Sequence, residues 1–230
     1  MIKKQHDIII VEDALPQSLA DECERHMNDQ LDWYLMRDCH PNGYKDLSNT
    51  RLHITPTTVN TLQLGHGVFE YEDKTPWQSK YWSMFDLIMK TCVDKAVVQD
   101  KNQENLTTHS LFELQPIRIK CNMLLNNNKV KSKEYHNTIH TDNRFTNSYS
   151  GIYYVNDSDG DTIIYNEQWS ETMTERPKKL TEKIRIKPKK NQFLMFDGLY
   201  YHTSTNPIES EKRMVVNMNF LNGKEAHKYA

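Results

Sequence analysis

From residue 113 onward the chain reads as short apolar strands broken by turn-forming residues, and this pattern constrains the fold more than any other feature. Segments 113–125, 152–155, 162–165, 183–186, 193–196 and 213–221 carry β-branched and aromatic residues and are separated by Asn, Gly, Pro and Lys clusters. Such spacing predicts an all-β sandwich or barrel. The last segment is the most explicit. Met214, Val216, Met218 and Phe220 fall on one face, and Arg213, Val215, Asn217 and Asn219 on the other, because side chains alternate along a strand. A sheet covered by helices on one side and lining a cavity on the other gives that division. It points Arg213 and Asn217 into the cavity.

Upstream, the pattern predicts two helices that back the sheet's outer face. Pro16 suits a first helical turn, and Leu15, Leu19, Cys23 and Met27 recur every four residues, the period of one helix face. Thr75-Pro76 reads as the start of a second helix with Trp77, Tyr81, Phe85, Ile88 and Cys92 as its apolar stripe. Segment 38–72 is rich in Thr, Asn, His and Gly and reads as loops and short strands that shape an entrance. Trp33, Tyr34, Trp77 and Trp82 are read as packed aromatics, with lining of that entrance as the alternative. The 230 residues suffice for one domain with a substantial core: a helical and loop support region at 1–112, a β core at 113–222 and a tail at 223–230. Residues 126–129 form a turn or loop.

A net charge of −2 gives no global attraction to nucleic acid or an anionic membrane. Cys23, Cys39, Cys92 and Cys121 form no Cys-x-x-Cys pair or disulfide framework. The only early apolar run is Ile8 to Val11, too short for a signal peptide or a membrane span. A cytoplasmic protein is expected. Twenty asparagines against 5 alanines and 7 glycines match the codon bias of an AT-rich genome, such as that of a bacteriophage or a low-GC microbe.

His140-Thr141-Asp142 is weak alone, since 10 histidines and 16 aspartates nearly supply one His-x-Asp match by chance. Its weight comes from order. The apolar strand 193–196, a turn, His202 and then Arg213 on a further strand follow it. Two imidazoles and one carboxylate on one face of a metal leave three positions open, the arrangement of a non-haem Fe(II) site that holds a bidentate 2-oxo acid and O2. Arg213 would hold the far end of that acid.

In these segments the chain resembles the Fe(II)/2-oxoglutarate-dependent dioxygenases, and most closely their prolyl 4-hydroxylase-like branch. The likeness covers roughly residues 113–221 and the opening Asp7-Ile8-Ile9-Ile10-Val11-Glu12-Asp13-Ala14-Leu15-Pro16. It includes Gly151-Ile152-Tyr153-Tyr154-Val155-Asn156 with Asp159-Gly160-Asp161-Thr162, and the strand leading to His202 at 186–196. With this motif order, the expected fold is mainly β with N-terminal supporting helices, a double-stranded β-helix of jelly-roll type. The resemblance implies that His140, Asp142 and His202 bind Fe(II), and that Tyr154 and Arg213 bind the distal carboxylate of 2-oxoglutarate. Asn217 stands where relatives often carry a small hydroxyl residue. Relatives also place a co-substrate-binding tyrosine on the strand before His-x-Asp; here Asn122 is the substitute and Tyr135 the competitor.

The implied activity is hydroxylation of a C–H bond with release of succinate and CO2, using O2, with ascorbate keeping the iron reduced. A prolyl or other peptide residue and a small molecule are both candidate substrates. Two alternatives stay open: a non-catalytic metal-binding jelly-roll module, and an AlkB-like demethylase of nucleic-acid bases. The latter calls for a basic groove and an aromatic lid that the sequence does not display.

Competing sites are weaker. His136 and His140 have helix-face spacing, but Asn137 cannot replace the glutamate of a metalloprotease. The acidic run 157–161 begins like a calcium loop yet has Thr162 and Gln168 where glycine and glutamate belong. The basic segment 176–190 reads as a solvated edge, with steering of an acidic or phosphorylated substrate as the alternative. His6, His26, His40, His53, His66, His109 and His227 lack ligand-spaced partners.

Overall fold

The computed structural model describes residues 8–36, 50–59, 61–72, 75–101, 114–126, 130–143 and 145–222. The turn at 127–129, the tail at 223–230, the 38–49 part of the loop segment, Cys39, Glu113, His6, His40, His109 and His227 lie outside the described residues. In chain order the elements are β1 (Ile8–Val11), α1 (Gln17–Asp29), β2 (Tyr34–Met36), β3 (Leu52–His53), β4 (Gln63–Glu72), β5 (Thr75–Gln78), α2 (Trp82–Lys101), β6 (Leu114–Leu125) and β7 (Ile139–His140). They continue as β8 (Ser148–Tyr154), β9 (Thr162–Gln168), β10 (Glu182–Ile186), β11 (Gln192–Asp197), β12 (Tyr200–Ser204) and β13 (Lys212–Asn222).

The strands form two antiparallel sheets. The larger has the order β1-β11-β8-β13-β6-β4-β2 with β5 on β4, and the smaller β10-β9-β12-β7-β3. Among the described residues this is the expected double-stranded β-helix, a two-sheet jelly roll with two helices. The strand parity holds. Met214, Val216, Met218 and Phe220 are all 1% exposed or less and join Cys23 and Met27 of α1 and Phe85, Ile88 and Cys92 of α2 in one apolar core. Val215 packs on the opposite face with Ile152, Tyr154, Ile164 and Phe196.

Three local features tie sequence to architecture. Asn191 enters β11 at φ 65°, a left-handed conformation that asparagine tolerates. Its side chain accepts from the Leu15 N–H at 2.8 Å and donates to the Leu15 carbonyl at 2.9 Å, pinning the approach to α1. The second helix begins at Trp82 and not at Thr75-Pro76, because 75–78 is β5, which among the described residues pairs only with β4. Proline lacks a ladder donor and extends the residue before it, so an edge strand accommodates it where a helix start was expected. Trp77 is consequently half-exposed, whereas Trp82 stacks on Phe69 at 4.7 Å. Finally, β4 is a ten-residue strand where the sequence indicated loops and short strands. Gly65 and Gly67 interrupt its alternation, facing Asn122 and Lys120 of β6.

Candidate metal centre

His140 ends β7 and His202 lies within β12, and the two are Cα partners across that antiparallel pair. Asp142 follows two residues after His140. The Asp142 carboxylate lies 3.7 Å from His140 Nε2 and 3.5 Å from His202 Nε2, and one ligand atom from each residue falls within 4.8 Å of the others. Each imidazole donates Nδ1–H to a backbone carbonyl at 3.0 Å, His140 to Thr138 and His202 to Tyr200. These bonds fix the tautomer that leaves both Nε2 lone pairs for a metal, the usual way an outer partner orients a ligating histidine. The donor set therefore fits a divalent transition ion.

Asp142 is held from the larger sheet. Ser150 of β8 donates to its Oδ2 at 2.7 Å, and Arg118 of β6 reaches its Oδ1 at 3.4 Å while donating through Nε to Asn219 at 3.0 Å. Burial alone would raise the Asp142 pKa, but the neighbouring His202, His140 and Arg118 hold it well below the ordinary carboxylate value. For His202, burial opposes the charge and Asp142 more than offsets it, so its pKa lies above the usual imidazole value. Opposite charges in a low-dielectric site produce this pattern.

A cavity of about 250 Å³ opens from this cluster. Its wall contains His140, Asp142, His202, Arg213, Asn122 and Asn217, six of the seven residues expected from the sequence. The seventh, Tyr154, is fully buried behind the wall, and its hydroxyl donates to Thr162 Oγ1 at 2.8 Å. Burial pushes its phenol up to about 12 against the pull of Arg213. Thr162 and Arg118 are among the wall residues that the sequence did not single out. Thr162 also accepts from Arg213 Nη2 at 2.8 Å, while Arg213 Nε donates to the Gly160 carbonyl at 2.8 Å. Gly160 permits that approach, since a Cβ there would lie 2.9 Å from Arg213 Cδ and 2.9 Å from the Thr205 carbonyl. Asn122 accepts from Gln63 Nε2 at 2.5 Å, whereas Tyr135 is 41% exposed and outside the wall.

The competing sites have other occupations. His136 Nε2 lies against the Thr55 and Thr57 hydroxyls and its Nδ1 against the Asn137 carbonyl, and no helix joins it to His140. The basic segment pairs with acidic neighbours: Lys190 with Asp21 and Glu24, Lys189 with Glu12, and Arg185 with Glu182 and Asp161. His26, His53 and His66 are held near Gln30, Pro177 and Asp32.

Asp159, in the acidic run, accepts backbone N–H bonds from Ile208, Glu209 and Ser210 at 3.0–3.2 Å. Burial would raise its pKa, but these bonds lower it to about 2. A carboxylate whose folded pKa is depressed stabilises above its unfolded value and loses that contribution as pH falls through the folded one. Asp159 should therefore contribute about 2 kcal/mol above roughly pH 4, vanishing near pH 2. Asp159→Asn should lower the neutral-pH melting temperature and flatten its fall over that acid range. A melting curve that drops as steeply as the parent's below pH 4 would remove Asp159 from this role.

No family model and no curated protein matches this chain by sequence. By structure, its fold is the one found in 2OG-Fe(II) oxygenases, and the His-Asp-His cluster sits in the cavity of that fold. One similar solved structure is a prolyl hydroxylase from Trichoplax adhaerens in complex with a hypoxia inducible factor oxygen degradation domain peptide fragment, with TM-score 0.56 and 12% identity, covering 98% of this chain and 88% of that one. A 2OG-Fe(II) oxygenase family oxidoreductase from Burkholderia pseudomallei gives TM-score 0.58 at 8% identity over 94% and 88% of the two chains. The non-heme alpha ketoglutarate dependent epimerase SnoN from nogalamycin biosynthesis gives 0.53 at 9% identity over 95% and 79%.

Proposed function

We propose that this chain is an Fe(II)- and 2-oxoglutarate-dependent dioxygenase that hydroxylates a C–H bond and releases succinate and CO2. The observation that carries the reading is the presence, in one cavity wall, of two tautomer-fixed imidazoles, one depressed carboxylate and a buried guanidinium. Iron, when bound by His140, Asp142 and His202, supplies the activation of O2 and the oxidative decarboxylation of the co-substrate. The protein supplies placement. Arg213 neutralises the distal carboxylate, with Thr162 and Gly160 holding the guanidinium in line and Tyr154 bracing Thr162 from behind. Asn122 and Asn217 offer amide donors on the same wall. Ile152 and Leu124 add apolar surface that limits water. Ascorbate would serve as the reductant that restores Fe(II).

The substrate is a residue of a peptide, prolyl or other, or a small molecule. The Trichoplax adhaerens neighbour, bound to a peptide fragment, supports the first choice. The test incubates iron-loaded protein with 2-oxoglutarate and panels of proline-containing peptides and small acids. Succinate formation together with a product heavier by one oxygen atom is expected. Absence of both succinate and 2-oxoglutarate binding would leave a non-catalytic jelly-roll module, and activity confined to methylated nucleic-acid bases would favour the demethylase.

A further inference from the structure

Asn219 lies on β13, on the face that also carries Arg213, Val215 and Asn217. Its Cα partners are Ser150 on β8 and Arg118 on β6. These are the two residues that hold Asp142 from the larger sheet. Asn219 therefore sits between them on one rung, at the ~5 Å spacing where opposed side chains meet. It is 2% exposed and outside the cavity wall. A buried amide is costly unless its hydrogen bonds are made, and the buried Val215 shows that an apolar side chain packs on the same face of this strand. Packing alone does not require an amide at 219.

Four side chains close a ring around Asp142. Arg118 donates through Nε to Asn219 Oδ1 at 3.0 Å and through Nη2 to Asp142 Oδ1 at 3.4 Å. Asn219 Nδ2 donates to Ser150 Oγ at 3.5 Å, and Ser150 donates to Asp142 Oδ2 at 2.7 Å. Donor and acceptor roles leave one direction around the ring. A guanidinium has only donors, so the amide turns its oxygen to Arg118 and its NH2 to Ser150. The serine oxygen then accepts from the amide, and its one proton goes to Asp142. Turned the other way, the amide oxygen would draw that proton from the carboxylate. Each oxygen of Asp142 thus meets one donor of the larger sheet, which fixes the carboxylate plane, and each keeps a further lone pair for a metal ion.

We propose that Asn219 is a positioning residue for the metal centre, one that presets Asp142 as a ligand through Ser150 and Arg118 from outside the cavity wall. The inference rests on the oxygenase reading and deepens it. Outer partners that orient a ligating group raise metal affinity in this way, and a chain of hydrogen bonds running in one direction strengthens its members.

The test titrates Co(II), as a spectroscopic stand-in for Fe(II), into the whole metal-free chain. Calorimetry reads the affinity and the visible ligand-field absorbance reads the ligand arrangement. Asn219→Leu keeps the side-chain size and removes both hydrogen bonds. It should weaken Co(II) binding by about tenfold or more and alter the absorbance. Ser150→Ala should also weaken it, and the double variant should fall well short of the product of the two losses, because residues acting in one network are not additive. Metal-free melting temperatures set general destabilisation apart. A merely structural asparagine would shift the melting temperature and leave affinity and absorbance as in the parent, which overturns the proposal. Losses that multiply in the double variant also overturn it, since Asn219 would then act apart from Ser150. If Asn219→Leu does not fold, Asn219→Ala, which adds no bulk, replaces it in the same cycle. A parent chain that binds no Co(II) marks failure of the oxygenase reading itself.

Discussion

Arg213→Met is expected to lower 2-oxoglutarate affinity on the order of a hundredfold or more while iron binding survives. The side chain is 5% exposed and makes bonds from Nε to Gly160 and from Nη2 to Thr162. Methionine keeps much of its volume and removes its charge, so the distal carboxylate would enter the same buried position unpaired. Losing one side of a buried charge pair costs about 3–5 kcal/mol. The metal ligands lie on β7, the turn after it and β12, and are untouched. Tyr154→Phe should cost only about 1 kcal/mol, since its hydroxyl works through Thr162. Anaerobic titration of the Fe(II) protein, read by the charge-transfer band, measures both. Equal affinity in Arg213→Met and parent would refute the anchor. Arg185 is no substitute, being paired with Glu182 and Asp161, and neither it nor Lys212 is in the cavity wall.

The second large effect is loss of iron from His202→Ala and from His140→Ala. Either change leaves one imidazole and one carboxylate. The drop in affinity should exceed the roughly 10–100-fold that removal of an outer hydrogen-bond partner costs. His136 cannot take over, because its ring is engaged by Thr55, Thr57 and Asn137. Elemental analysis of the purified variants decides the matter. Stoichiometric iron in both would remove these histidines from the ligand set.

The sequence made legible whatever depends on periodicity and order. The two faces of β13 followed from alternation, and the placement of His140, Asp142, His202 and Arg213 followed from the strand sequence around them. Partners across the sheets were not legible. Thr162, Ser150 and Arg118 reach the site only because β9 packs against β12, and because β8 and β6 flank β13. Periodicity reports which face a residue occupies and is silent on which strand lies next to it. Segment 75–78 differs from the expected helix start for another reason: Thr-Pro is compatible with both a helix start and an edge strand, and pairing with β4 decides for the strand. In β4 itself the glycines hide the alternation that would have announced a long strand.

The hydrogen bonds of Asp142 have a consequence for the protein as a whole. Both imidazoles belong to the smaller sheet, while Asp142 is held by Ser150 and Arg118 of the larger one. An ion gripped by all three would act as a clasp across the mouth of the jelly roll, with one half fastened to each layer. Since a ligand bound only by the native state adds to its stability, iron would strengthen the molecule where the two layers meet at the cavity. The helix-backed face, with its continuous apolar core, has no need of it. Supply of iron would then govern the firmness of the cavity's frame as well as its chemistry.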